Sequence, residues 1–140
     1  MSETYISSAI LRDVIARAGG RCENCGVPEG ATLAPHEPDH IIAERHGGKT
    51  EIDSLAYACY QCNRFKGPNI ATRDPQTGLL TPLFHPRTDH WSAHFRLIGP
   101  LIEPLTSAGR GTATLLRFNH ERRIALRAEL LLQGVYSPPG

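Results

Sequence analysis

Apolar residues recur at helical spacing near the start of the chain. Within residues 5–18, every fourth position from Ile6 to Val14 is apolar, which puts these side chains on one face of a helix. The Ser7-Ser8 pair is suited to cap the helix start, and Gly19-Gly20 offers the positive-φ conformation that ends helices. The pattern predicts an amphipathic helix over residues 5–18 that packs through its apolar face.

The middle of the chain predicts a hairpin followed by a short helix. Residues 39–43 have the β-branched character of a strand, and residues 52–58 are suited to a return strand. Two glycines in residues 45–49 predict the turn between them. From Cys59 onward the sequence YQCNRFKG suits the first turns of a helix that ends near Gly67-Pro68.

The second half of the chain predicts short extended pieces and then helix. Residues 69–104 are rich in turn formers, with a tight turn at residues 74–78. Residues 106–111 are a plausible helix entry, and residues 112–133 have helical character with a break near Asn119. The expected core-facing positions are Leu115, Leu116, Ile124, Ala128 and Leu131, and the expected opposite face carries Arg122, Arg123 and Arg127.

Length and composition are those of one globular domain. The chain has 140 residues, 40% of them hydrophobic and 21% charged, which is enough to bury a core. No apolar run approaches the ~20 residues of a membrane span, and MSETYISS lacks the basic and apolar regions of a signal peptide. We therefore expect a single domain, 1–140, located in the cytoplasm and without a membrane partner.

The charge balance limits the kind of nucleic-acid contact. The formal net charge is +1, whereas a protein that grips nucleic acid over a long track carries a basic excess. Any such contact should therefore be local, or balanced by acidic surface elsewhere. The arginines of the last segment are interpreted first as a solvated helix face and second as a contact to a duplex backbone: Arg110, Arg117, Arg122, Arg123 and Arg127.

All four cysteines lie in two Cys-x2-Cys pairs. Cys22 and Cys25 form the first pair, Cys59 and Cys62 form the second, and 33 residues lie between the two pairs. This spacing fits a closed tetrahedral zinc site, which is structural because no coordination position remains for a substrate. Free buried thiols or two disulfides are the alternatives, and a reducing compartment favours the metal.

A second set of chemically active residues lies between and just after these pairs. Asp39-His40 lies between them, Asn63 follows the last cysteine, and Lys66 comes three residues later. A neutral imidazole, with an ordinary pKa of ~6.5, can take a proton from water. Carboxylate and amide oxygens suit Mg²⁺ or Mn²⁺, and Lys66 shares a helix side with Asn63, from which it could contact a phosphate.

These residue types match what phosphodiester hydrolysis requires, namely a base, neutralisation of the transition-state charge and stabilisation of the leaving oxygen. In a flat strand, Asp39 and His40 would point to opposite faces. Asp39 and His40 can therefore serve one site only if the strand is bent or bulged at these two residues. A surface turn is the plain alternative, and the position between two zinc knuckles favours the functional interpretation.

Together these motifs resemble the HNH endonuclease family over residues 20–68. The resemblance is carried by Cys22-x2-Cys25, Asp39-His40-Ile41-Ile42, His46-Gly47-Gly48 and Cys59-x2-Cys62-Asn63-x2-Lys66-Gly67. It implies an α+β fold, with a ββα-metal (His-Me finger) core stapled by zinc knuckles. An N-terminal helix and a C-terminal helical extension, residues 69–140, would flank that core.

The resemblance also implies roles for individual residues. His40 would be the general base, and Asp39 and Asn63 would hold a catalytic Mg²⁺ or Mn²⁺. The four cysteines, Cys22, Cys25, Cys59 and Cys62, would hold structural zinc. The implied activity is metal-dependent hydrolysis of DNA, with RNA as the other candidate substrate, and a homodimer or a larger nuclease complex is left open.

One position departs from the family pattern. Where the family usually has an asparagine before a leucine in the return strand, this chain has Ser54 before Leu55. Serine is shorter and lacks the amide that would orient the base histidine. We keep Ser54 among the candidate catalytic residues, with Lys66, and predict that Ser54→Asn keeps or raises activity.

Other candidates have two interpretations each. His46 is weighed evenly between a phosphate or metal contact and a turn-stabilising role. His36 and Glu37 are interpreted first as loop residues and second as residues that contact the metal ligands from outside. The stretch 84–95 offers aromatics and histidines that could stack on bases, although packing of the extension on the core is favoured.

The competing function is a non-catalytic, zinc-stapled nucleic-acid-binding module. Ser54 and the near-neutral charge favour that module, and the intact Asp39, His40, Asn63 and Lys66 favour the enzyme more strongly. A redox role for the cysteine pairs is weak, because no βαβ context surrounds them.

Overall fold

The N-terminal helix forms as its pattern predicts. The structure, a computed structural model, describes residues 5–140. Helix α1 spans Ser8–Ala18, with the Ser7 side chain accepting a hydrogen bond from the Ile10 N–H at 3.2 Å and Gly19 ending the helix at φ 65°. Its buried face centres on Val14, which packs with β2.

A two-stranded antiparallel hairpin and a helix follow. Strand β1 spans Glu37–His40, strand β2 spans Leu55–Ala58, and Glu37 pairs with Ala58 while His40 pairs with Leu55. Helix α2 spans Tyr60–Lys66 and is capped by Cys59, whose sulfur accepts a hydrogen bond from the Cys62 N–H. The predicted hairpin and helix are confirmed.

The strand boundaries differ from the predicted ones. The first strand begins and ends earlier than residues 39–43, and residues 52–54 form a 3-10 turn before the return strand. The loop folds back tightly after the first strand: a Cβ on Gly48 would lie 1.6 Å from the Ile42 carbonyl oxygen. This close approach requires glycine at position 48.

The second half of the chain is built from short helices and strands. Arg117, a non-glycine residue with a positive φ of 55°, lies between the last two helices of the chain. The predicted break near Asn119 is therefore confirmed. None of the helices within residues 5–140 combines the length and apolarity that a membrane span needs. The elements are β3 (Ala71–Arg73) paired with β4 (Leu80–Pro82), α3 (Trp91–His94), β5 (Phe95–Ile98) paired with β6 (Leu101–Pro104), α4 (Ser107–Leu115) and α5 (Glu121–Leu132).

The main core joins the cysteine pairs to aromatic residues from the second half of the chain. Trp91 and Phe95 are buried in it, and the Trp91 Nε1 donates to the Asn24 carbonyl at 2.8 Å. The Tyr136 hydroxyl donates to the Cys25 carbonyl at 2.7 Å. Trp91 and Phe95 are therefore core residues, as the favoured packing interpretation predicts, and they are not available to stack on bases.

Two arginines of α5 are buried, contrary to expectation. Arg123 is 6% and Arg127 2% exposed, whereas Arg122 is exposed. Arg127 donates to the carbonyls of Pro100 and Phe118, each at 2.7 Å. The predicted solvated face of three arginines is wrong for these two, because backbone carbonyls and sulfurs inside the fold accept their hydrogen bonds.

Candidate active site and metal centre

The four cysteines converge as their spacing predicts. Their Sγ atoms all lie within 4.8 Å of one another, and none of the four forms a disulfide. Four sulfurs at ~2.3 Å from a tetrahedral zinc would be ~3.8 Å apart. Cys25 Sγ and Cys59 Sγ are 3.8 Å apart, so the cluster fits a structural zinc ion.

Asp39 and His40 contribute to one groove although they are adjacent in a strand. The groove has a volume of about 660 Å³ and is also lined by Glu37, Glu44 and Asn63. His40 is the last residue of β1, so the alternation of a flat strand no longer governs its direction. Both residues pair in regular register with β2, and the chain bends directly after His40, at residues 41–42.

Lys66 is turned into the protein rather than toward solvent. Its Nζ lies 3.0 Å from Asp39 Oδ2 and 3.1 Å from the His40 carbonyl oxygen, and the Lys66 and Asp39 side chains are 8% and 10% exposed. Burial raises the pKa of the Asp39 carboxyl, and the Lys66 charge opposes that rise. The predicted contact of Lys66 with a phosphate would require it to leave this ion pair.

The His40 ring is contacted by a residue that the sequence did not single out. Its Nε2 lies 2.9 Å from the Thr50 hydroxyl and 3.8 Å from a Glu44 carboxylate oxygen. Ser54 contacts the motif through its backbone, since its carbonyl accepts from the Ile41 N–H at 3.0 Å. No sequence signal distinguishes Thr50 from other loop threonines, because only the fold of the loop brings it to the ring.

Asn63 is held by Glu37. The Asn63 Nδ2 donates to Glu37 Oε2 at 2.9 Å, and Glu37 lies two residues before Asp39 in β1, on the same face of the strand. The interpretation of Glu37 as a loop residue is therefore wrong. Because β1 begins two residues earlier than predicted, strand alternation places Glu37 on the same face as Asp39.

Two further histidines lie in different surroundings. His36 is buried, with Nε2 2.9 Å from the Val27 carbonyl oxygen, and it does not line the groove. His46 is exposed at the end of the 3-10 turn Glu44–His46.

Comparison with known families assigns the segment that contains both sites. Residues 22–69, about a third of the chain, match the model of the family described as HNH endonuclease. The matched range includes both cysteine pairs, the groove residues from Glu37 to Pro68, and Lys66. No curated protein and no solved structure matches the chain. The family match indicates a nuclease or another function related to nucleic acids.

Proposed function

We propose that the HNH segment at residues 22–69 makes this chain a metal-dependent endonuclease that hydrolyses DNA phosphodiester bonds. The single observation that carries the proposal is the groove, because Asp39, His40 and Asn63 come from two elements and line the same space. In this proposal residues 69–140 pack on the segment as part of one domain, and the ββα-metal arrangement is formed by β1, β2 and α2.

Asp39 and Asn63 would hold the catalytic Mg²⁺ or Mn²⁺. Both offer oxygen donors, which these hard cations prefer. Because the Asn63 amide nitrogen donates to Glu37, its Oδ1 is left available as a ligand. A divalent cation bound there would supply positive charge that stabilises the transition state and the leaving oxygen.

His40 would act as the general base. His40 Nε2 lies 2.9 Å from the Thr50 hydroxyl, which can accept a hydrogen bond, and 3.8 Å from a Glu44 carboxylate oxygen, whose negative charge favours an N–H at this nitrogen. We therefore assign the ring proton to Nε2 and the free lone pair to Nδ1. Nδ1 then takes a proton from the attacking water as its oxygen bonds to phosphorus. The bond from phosphorus to the 3′ oxygen breaks, and a solvent water molecule protonates that oxygen, which leaves a 3′ hydroxyl and a 5′ phosphate.

Lys66 and Glu37 would keep these groups in place. Lys66 anchors both the Asp39 carboxylate and the His40 backbone, and Glu37 fixes the orientation of the Asn63 amide. Ser54 would contribute through its carbonyl, which accepts from the residue after His40. A contact through the backbone does not depend on the side chain, so Ser54→Asn should keep or raise activity.

A supercoiled-plasmid nicking assay tests the proposal. The protein would be incubated with chelator, Mg²⁺ or Mn²⁺ beside His40→Ala, with His90→Ala as a matched control because His90 is exposed and lies away from the groove. We expect relaxation that needs the divalent ion, persists in His90→Ala and disappears in His40→Ala, while DNA binding by His40→Ala remains.

The competing function makes the opposite prediction. A zinc-stapled binding module would bind DNA but leave the plasmid supercoiled with every divalent ion. That outcome, with zinc content confirmed, would reject the nuclease.

A further inference from the structure

The four-cysteine cluster brings negative charge into the protein interior. Four thiolates around one Zn²⁺ carry a formal charge of about −2, and each cysteine is at most 2% exposed. Buried charge is costly unless opposite charges or hydrogen-bond donors surround it. Positively charged hydrogen-bond donors beside the sulfurs would lower this cost.

Arg123 on α5 is such a donor. Its Nη2 lies 3.1 Å from Cys62 Sγ and 3.7 Å from Cys59 Sγ. Its Nη1 donates to the Leu116 carbonyl at 2.6 Å, which holds the plane of the guanidinium. Among the ion pairs of residues 5–140, none joins Arg123 to a carboxylate. The thiolates are therefore the negative charge that Arg123 faces.

The two cysteine pairs differ in the hydrogen-bond donors that surround them. Each pair receives one backbone N–H: Cys25 donates to Cys22 Sγ and Cys62 donates to Cys59 Sγ, both at 3.5 Å. The guanidinium of Arg123 contacts only the second pair. The second pair thus depends on a helix from the far end of the chain.

We propose that Arg123 is a positioning residue of the metal centre. Its guanidinium is the counter-ion and hydrogen-bond donor of Cys59 and Cys62, so that zinc retention by the HNH segment depends on α5. Groups that hold metal ligands from outside commonly change metal affinity by ~10–100-fold when removed. Hydrogen bonds from a cation also stabilise the thiolate form of a ligand. This inference concerns the metal centre alone and does not require that the groove cleaves DNA.

Zinc release tests the proposal without any measurement of activity. Arg123→Met and Arg123→Lys would be compared with wild type and with Arg122→Met, which removes the exposed neighbour on the same helix. A chromophoric chelator would report the release rate. We expect release ~10–100-fold faster in Arg123→Met, intermediate in Arg123→Lys, which keeps the charge but loses the planar fork, and unchanged in Arg122→Met.

Cobalt substitution supplies a signature that loss of stability alone would not produce. Hydrogen bonds lower the energy of sulfur lone pairs, so thiolate-to-Co²⁺ charge-transfer bands should move to longer wavelength in Arg123→Met and stay unmoved in Arg122→Met. If Arg123→Met does not fold, Arg123→Lys decides by the same two measurements. Release within twofold of wild type with unmoved bands, in whichever Arg123 variant folds, would overturn the proposal.

Discussion

Replacing Lys66 by methionine should reveal how strongly the groove depends on one buried ion pair. The ammonium lies 3.0 Å from the Asp39 carboxylate, and the two side chains are 8% and 10% exposed. Removing one partner of a buried pair costs ~3–5 kcal/mol. Because methionine keeps most of the apolar stem, the loss is mainly electrostatic. We expect the free energy of unfolding at pH 8 to fall by about 3 kcal/mol.

Protonation of Asp39 sets an upper limit to this loss and gives it a pH dependence. Neutralising a carboxyl with a pKa of ~3.9 costs ~1.4 kcal/mol for each pH unit above that value, or about 4 kcal/mol at pH 7 and about 1.5 kcal/mol at pH 5. Burial already raises the pKa of Asp39, and loss of Lys66 raises it further. The folded state then binds this proton more tightly than the unfolded state, so the deficit grows above pH 4 and shrinks on acidification.

Urea unfolding followed by the fluorescence of Trp91, the single tryptophan, measures the effect in zinc-loaded protein at pH 5 and pH 8. The matched control is Lys49→Met, since Lys49 is the only other lysine and is exposed. Equal stability of the Lys66 and Lys49 variants within about 0.5 kcal/mol, or a deficit that is the same at both pH values, would refute the reasoning. Added Mg²⁺ should restore part of the loss in Lys66→Met, because a cation at Asp39 replaces the missing charge.

Three further substitutions test other contacts. Thr50→Val removes the hydroxyl at His40 Nε2 and should slow plasmid nicking about 10-fold, the equivalent of one hydrogen bond of ~1.4 kcal/mol. Glu37→Leu frees the Asn63 amide and should raise the Mg²⁺ concentration for half-maximal nicking about 10-fold or more. Tyr136→Phe leaves a buried carbonyl without its donor and should lower the free energy of unfolding, measured in urea, by ~1–2 kcal/mol.

Each of these substitutions has a matched control. Thr88→Val and Glu51→Leu change exposed residues, and nicking and its Mg²⁺ dependence should stay at wild-type values. Tyr60→Phe loses only a hydroxyl that accepts from an exposed arginine, so its unfolding curve should stay close to wild type. A variant indistinguishable from its control would show that the contact contributes nothing measurable.

The local elements and the metal cluster could be predicted largely from the sequence. The cap at Ser7 and the stop at Gly19 depend on local backbone chemistry, and the structure contains both. The convergence of the cysteine pairs, Cys22/Cys25 and Cys59/Cys62, follows from their spacing, since four thiols in two tight turns have few other uses in a reducing compartment.

The contacts that organise the groove could not be predicted in this way. Lys66 and Asn63 share a helix side, and periodicity could not determine that Lys66 would turn inward to Asp39. The sequence predicts Glu37 in a loop because the predicted strand begins at residue 39, two residues later than β1 does. Thr50 reaches His40 only because a glycine-containing loop folds back between the strands.

The sequence by itself determined the resemblance of one segment to the HNH family, the four-cysteine cluster and the types of side chain that are available for phosphodiester hydrolysis. Only the tertiary structure decided which charges are buried. Arg122, Arg123 and Arg127 look equivalent in a helical pattern, yet the second faces the sulfurs and the third faces carbonyls. The physical reason is that a buried charge is tolerated only where acceptors or opposite charges surround it. The Cys62 sulfur and the Pro100 carbonyl, which are two of these partners, lie 61 and 27 residues away in sequence, so no local helical pattern contains them.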